Sequence, residues 1–137
     1  MQARGLTRHF GGLKAVEDVD FSLEHGEIHA LIGPNGAGKT TLVGLLSGRI
    51  EAQSGNITLN GADITTMAAH LRVRAGIAYT FQITSVYPRL SVFDNVVLAA
   101  QSRGGADLPG RVQAALTRVG LEGHDRVLAG TLSDRKS

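Results

Sequence analysis

The stretch Gly33-Pro34-Asn35-Gly36-Ala37-Gly38-Lys39-Thr40-Thr41 constrains this chain more than any other, because it fits the phosphate-binding pattern G-x-x-x-x-G-K-[ST]. The apolar run Ile28-His29-Ala30-Leu31-Ile32 precedes it and predicts a buried strand. Leu42-Val43-Gly44-Leu45-Leu46 follows it with apolar residues at helical spacing. The predicted unit is strand, glycine loop, helix. Gly33, Gly36 and Gly38 lack a Cβ, so the backbone can take positive φ and curl its N–H groups around an anion. A helix beginning near Lys39 adds free N-terminal N–H groups and the positive end of its dipole. In that setting Lys39 reaches the β- and γ-phosphates of a nucleotide. The Thr40 hydroxyl is placed to ligate Mg²⁺, and Thr41 adds a hydroxyl near the α-phosphate. An accidental glycine-rich turn is the competing reading in a chain with 18 glycines. It leaves the flanking strand and helix patterns unexplained.

Composition sets outer limits. The 137 residues suit one domain with a modest core; 42% are hydrophobic, and 4% aromatic with no Trp implies an aliphatic core. A net charge of +2, with no basic run, gives no case for a nucleic-acid partner. The lack of cysteine excludes disulfides and cysteine-based zinc or redox chemistry within these residues. Met1 to Leu6 shows no signal-peptide core, and no window approaches the roughly 18 apolar residues of a membrane span.

Along the chain, Val19-Asp20-Phe21-Ser22-Leu23 alternates as a half-buried strand, and His25-Gly26 turns it toward the glycine loop. The helix from Lys39 is expected to end near Gly48. Ser54-Gly55 turns into a second alternating strand over Asn56 to Gly61, and Ile77 to Phe81 reads as a third. Ser91 is an N-cap candidate for a helix over Val92 to Gln101; a further helix is expected over Arg111 to Val119, after the loop Gly104 to Gly110.

Together these segments resemble the ATP-binding subunit of an ABC transporter, from about Leu6 to Ser133. The fold this implies is α/β, the N-terminal portion of an ABC-type P-loop NTPase. Residues 1–82 would be the nucleotide-binding core, with an antiparallel β-subdomain and part of a parallel sheet, and 83–137 most of the helical subdomain. Phe10-Gly11-Gly12-Leu13-Lys14-Ala15-Val16 is similar to the family's A-loop region, which implies that Phe10 stacks on adenine beside Val16. The resemblance adds Asn35, Gly36, Ala37, Gly38, Lys39, Thr40 and Thr41 as ATP-binding residues. Gln82 matches the Q-loop glutamine and would join Thr40 as an Mg²⁺ ligand and sense the γ-phosphate. Ile83 to Arg89 would face a transmembrane permease subunit, and the chain would form a head-to-tail dimer with itself or a homologous subunit. A peripheral place at the cytoplasmic face of the membrane follows. The Phe10–Val16 and Tyr79-Thr80-Phe81-Gln82 segments look most like the branched-chain amino-acid uptake group, with urea importers close by.

Hydrolysis needs a carboxylate behind Mg²⁺ and a group that orients water. None of the 12 acidic residues ends an apolar run after the glycine loop, and the family's later histidine has no counterpart. Glu17-Asp18 lies upstream, in what reads as a turn. Leu132-Ser133 aligns with the start of the family's L-S-G-G-Q signature, and Asp134-Arg135 depart from it. The expectation is a shortened member with unpaired apolar strand edges, prone to aggregate and binding Mg-ATP or a membrane partner without turnover. A P-loop GTPase or kinase is the rival class: Asp107-Leu108-Pro109-Gly110 fits D-x-x-G, but no N-K-x-D base-reading motif is present. His25-Gly26-Glu27 reads as turn rather than zinc site, and Arg72 and Arg74 as an exposed helical face.

Overall fold

A computed structural model describes residues 1–81, 86–101 and 104–133. The chain divides into two compact units, Met1–Tyr79 and Thr80–Ser137. Among the described residues no helix is long and apolar enough to cross a membrane.

The first unit holds β1 (Gln2–Phe10), β2 (Leu13–Ser22), α1 (Lys39–Leu46), β3 (Ser54–Leu59), β4 (Ala62–Asp63) and α2 (Ala69–Arg74). The strands form one antiparallel sheet in the order β2-β1-β3-β4. Its core is aliphatic, as the composition implies: Ala3, Leu6, Val16 and Ile57 of the sheet, Ile64, and Leu42, Leu45 and Leu46 of α1. The sequence pattern predicts no strand over Gln2–Phe10, yet β1 is a central strand. Ala3 and Leu6 are both buried although three residues apart, because Gly5 at φ 59 and register shifts toward both neighbours break the two-residue period. β2 likewise starts at Leu13, well before the alternating run, and contains Glu17 and Asp18. That pair therefore belongs to a strand rather than to a turn.

The end of α1 matches the sequence reading, while the strand after it is shifted: Ser54 and Gly55, read as a turn, begin β3, and Asn60 and Gly61, read as strand, leave it. Gly48, at φ 76, donates its N–H to Leu45 O at 3.1 Å and stops the helix. Asn60 at φ 51 and Gly61 at φ 82 turn β3 into β4, the conformation that a tight Asn-Gly hairpin requires.

Two predicted strands do not form. Ile28 to Ile32 takes no strand pairing, and Ile28 and Ile32 are 99% and 94% exposed. Ile77 to Phe81 is also not a strand, although Ile77 packs against the core. Apolar β-formers become a strand only beside a ladder partner, and neither run joins the described sheet β2-β1-β3-β4.

Arg72 is a further correction. It is 2% exposed, and its guanidinium donates to four carbonyl oxygens: Met67 (2.9 Å), Leu45 (2.8 Å), Leu46 (3.0 Å) and Thr65 (2.8 Å). Burial pulls its pKa below the ordinary arginine value. Arg74 does face solvent.

The second unit holds α3 (Val92–Gln101), α4 (Leu108–Arg118) and α5 (Ala129–Ser133) around Val92, Val112 and Leu116. Ser91 caps α3 as its sequence predicts. Its Oγ accepts the Asp94 N–H at 3.0 Å and donates to the Asp94 carboxylate at 2.6 Å. Ser91→Ala is expected to cost about 1 kcal/mol, read by urea denaturation, the usual worth of such a cap; an unchanged midpoint would show that the cap is idle. Asn95 ties the preceding turn down, donating to Tyr87 O (3.0 Å) and Ser91 O (2.9 Å) and accepting from Tyr87 N–H (2.8 Å). α4 begins at Leu108, earlier than the Arg111 the pattern suggests, because Asp107 caps it by accepting the Gly110 N–H at 3.0 Å. Asp107-Leu108-Pro109-Gly110 is thus a helix start, with its carboxylate engaged in the cap.

Candidate functional site

The glycine loop is fixed by a close approach between β2 and the start of α1. At Gly38, φ is 82, and a Cβ would lie 2.0 Å from Ala15 O and 3.6 Å from Val16 Cγ2. Only glycine permits that contact without a shift of loop or strand. Gly36 also has positive φ, 84, but nothing lies within 4 Å of where its Cβ would be. That opening leaves the backbone accessible to an anion. Gly33 does not take the positive φ expected of it; a Cβ there would merely touch Ala37 Cβ at 3.4 Å. Ala37 N–H donates to Pro34 O at 3.2 Å, so Asn35 and Gly36 form the centre of a β-turn.

Lys39 begins α1, and its ammonium curls back under the loop, donating to Gly33 O at 2.5 Å and Pro34 O at 2.7 Å. Among the described residues no carboxylate lies within ion-pair distance of it. α1 has neither a side-chain cap nor an acid in its first turn. Its first N–H groups therefore lack both the intrahelical partner that geometry denies them and a side-chain substitute. Among the described residues a cation, unpaired helix N–H groups and an open glycine backbone lie together, an arrangement suited to an anion. Thr40 is exposed and Thr41 half-buried in the first turn.

A pocket of about 330 Å³ joins the loop to the sheet. Its walls are Ala15, Val16, Glu17, Val19, Leu31, Ile32, Ala37, Gly38, Lys39 and Leu42. The fold thus gathers Val16, Ala37, Gly38 and Lys39 of the expected site residues, while Phe10, Asn35, Gly36, Thr40 and Thr41 are not among its walls. A larger hollow, about 520 Å³, is walled by Phe21, Leu46, Ile77 and Tyr79 among others and contains no loop residue. Glu17 is anionic at neutral pH. The Lys14 ammonium, 2.5 Å away, holds its carboxyl below the usual range chiefly through their hydrogen bond; desolvation opposes this, and the Lys14 charge adds a smaller lowering.

Phe10 ends β1 opposite Leu13, is 43% exposed, and has the Arg8 guanidinium carbon 4.9 Å from its ring centroid. That is a cation–π contact. Gln82 lies outside the described residues. Of Ile83 to Arg89, Val86 onward is described, and Val86 and Tyr87 are 49% and 63% exposed. Asp134 and Arg135 also lie outside. His29 pairs with Glu27 at 3.1 Å and packs beside Phe21. The sequence reading missed the Ala15 carbonyl that holds Gly38; a loop glycine signals a close approach but not what approaches.

Residues 16–135 match the family model described as ABC transporter. The lipopolysaccharide export system ATP-binding protein LptB of Escherichia coli (strain K12) is 41% identical over 103 residues, 75% of this chain and 43% of that protein. A putative ribose/galactose/methyl galactoside import ATP-binding protein of Burkholderia ambifaria is 36% identical over 138 residues, 97% of this chain and 27% of that protein. The chain spans less than half the length of these curated relatives. Among solved structures, a nucleotide-free ATP-binding cassette from an ABC transporter superposes with a TM-score of 0.79 at 26% identity, covering 94% of this chain and 57% of that one. An ATP-binding cassette in its ADP conformation gives 0.80 at 25% identity with the same coverage. The anion site at the start of α1, the sheet that supports it and these likenesses agree: the chain belongs to the ABC transporter family.

Proposed function

We propose that Gly33 to Thr41 binds Mg-ATP, and that the chain is ATP-binding material of an ABC transporter subunit in which such binding drives transport. The observation that carries this is the Lys39 ammonium, held among the described residues by the loop carbonyls alone at a helix N-terminus without a side-chain cap. In this reading Lys39 exchanges Gly33 O and Pro34 O for β- and γ-phosphate oxygens, while the N–H groups from Asn35 to Thr41 surround the phosphates. Thr40 holds Mg²⁺ with Gln82, and Thr41 reaches the α-phosphate. Bound Mg²⁺ supplies charge neutralisation across the phosphate oxygens. Phe10 stacks on adenine next to Val16, which the Gly38 contact sets beside the loop.

The partners follow from the family. A permease docks on Ile83 to Arg89, a region whose Val86 and Tyr87 are exposed. A second ATP-binding subunit pairs head to tail, and the assembly sits at the cytoplasmic face of the membrane. For cargo, the branched-chain amino-acid reading rests on the Phe10–Val16 and Tyr79–Gln82 segments alone. The relatives' names divide between lipopolysaccharide export and sugar import.

A polypeptide of these 137 residues is expected to bind Mg-ATP and release phosphate at background, since no acid ends an apolar run after the loop. Phosphate-release assays on the chain and on Lys39→Ala check this; turnover that Lys39→Ala abolishes would overturn binding without hydrolysis. Competition between ATP and GTP separates the rival class. Stacking on Phe10 discriminates bases weakly, so a strong guanine preference would contradict the ABC reading.

A further inference from the structure

We propose that the Asn35–Gly36 bond is a site of spontaneous deamidation whose acidic product disables the phosphate loop. The chemistry is intramolecular. The deprotonated Gly36 backbone nitrogen attacks Asn35 Cγ; the new C–N bond closes a succinimide ring, and the side-chain nitrogen leaves as ammonia. Water then opens the ring at either carbonyl, giving aspartate or isoaspartate. Water is the only co-reactant, and asparagine is accordingly a thermolabile residue. The reaction needs an accessible asparagine, a following residue small enough to let the nitrogen approach, and an N–H not already engaged.

Asn35 and Gly36 meet these needs together. Both are exposed, and no atom lies within 4 Å of where a Cβ on Gly36 would be. The turn's hydrogen bond runs from Ala37 N–H to Pro34 O and spans the pair without using either. Neither residue takes part in a hydrogen bond among the described residues.

The other three asparagines serve as internal controls. Asn60 precedes Gly61 and is likewise exposed in a turn, but its turn is flanked directly by the paired strand residues Leu59 and Ala62. Asn56 lies within β3, followed by Ile57, whose N–H donates to Thr65 Oγ1 at 2.8 Å. The Asn95 amide is engaged by Tyr87 and Ser91.

The functional half rests on the phosphate-binding reading. Deamidation puts a carboxylate into a loop whose N–H groups surround an anion, and isoaspartate also lengthens the backbone between two of those donors. Bound nucleotide opposes the reaction, because it engages the N–H groups that would otherwise be free to react.

The test is incubation of the full chain at mildly alkaline pH, with and without Mg-ATP, followed by peptide mapping by mass spectrometry at each asparagine. Asn35 is expected to convert faster than Asn60 and much faster than Asn56 and Asn95. Mg-ATP should slow Asn35 and leave Asn60 unchanged, and Asn35→Gln should remove the conversion at that position. Asn35→Asp should bind Mg-ATP roughly tenfold or more weakly, from charge repulsion alone. Conversion of Asn35 no faster than Asn56 overturns the site. Rapid conversion with Asn35→Asp binding as tightly as the unmodified chain overturns the disabling step, and rapid conversion in a chain that never binds Mg-ATP overturns the phosphate reading while the deamidation site stands.

Discussion

Arg72→Met is expected to destabilise the Met1–Tyr79 unit by about 3 kcal/mol, because it takes the side-chain donor from Leu46 O, Thr65 O and Met67 O at once, and each buried group left unsatisfied costs about 1–3 kcal/mol. Leu45 O and Leu46 O belong to the last turn of α1, whose carbonyls have no partner within the helix; Leu45 O also accepts the Gly48 N–H, and Arg72 completes the C-terminal cap from another helix. Thr65 O and Met67 O come from the segment between β4 and α2. One side chain therefore joins the phosphate-loop helix to the segment after the sheet. Gly48 crowds against it, since a Cβ there would lie 2.7 Å from Arg72 Nε. Arg72→Lys should fall between, since an ammonium offers three donors from one point where the guanidinium offers a planar fork. Arg74→Met, at an exposed position on the same helix, is the control and should change little. Urea denaturation followed by circular dichroism checks the series; Arg72→Met behaving like Arg74→Met would remove the cap from the account.

Gly38→Ala should abolish Mg-ATP binding, whereas Gly36→Ala should only weaken it. The two positions share a positive φ, 82 and 84, which costs a residue with a Cβ about 1–2 kcal/mol. Their surroundings differ. The Gly38 Cβ would overlap Ala15 O at 2.0 Å, forcing the loop away from β2, while the Gly36 Cβ would project into the space assigned to the ligand. Conformational strain is common to both variants, so a greater loss in Gly38→Ala, despite the Gly36 Cβ facing the ligand space, points to the contact with β2. Equal loss in fluorescence titration with a labelled nucleotide would show that φ alone matters and that the Ala15 contact does not place the loop.

These contrasts mark what the residues disclose unaided. The glycine loop, the helix after it, the Gly48 stop and the Ser91 cap were legible because each is written within a few consecutive residues. β1 was not, because Gly5 and the register shifts hide a central strand behind a polar, broken pattern. Ile28 to Ile32 misled in the opposite sense: its composition suits a strand, but a strand also needs a neighbour to pair with, it joins no described sheet, and Ile28 is 99% exposed. Arg72 was illegible for the same reason. Its acceptors Leu45 and Leu46 lie 27 and 26 residues away, and only the fold brings a charged side chain to them. Local motifs thus located the candidate site, while the contacts that support it, Ala15 under Gly38 and Arg72 behind α1, are long-range.

The central claim is that the Lys39 ammonium changes partners, from loop carbonyls to nucleotide phosphates. Calorimetric titration of the chain and of Lys39→Ala with Mg-ATP, both shown folded by circular dichroism, tests it directly. The account predicts saturable binding that Lys39→Ala weakens by roughly tenfold to a hundredfold, the worth of a charge-assisted hydrogen bond of about 1.5–3 kcal/mol. Equal affinity in the two proteins, or no binding by the unmodified chain, would contradict it.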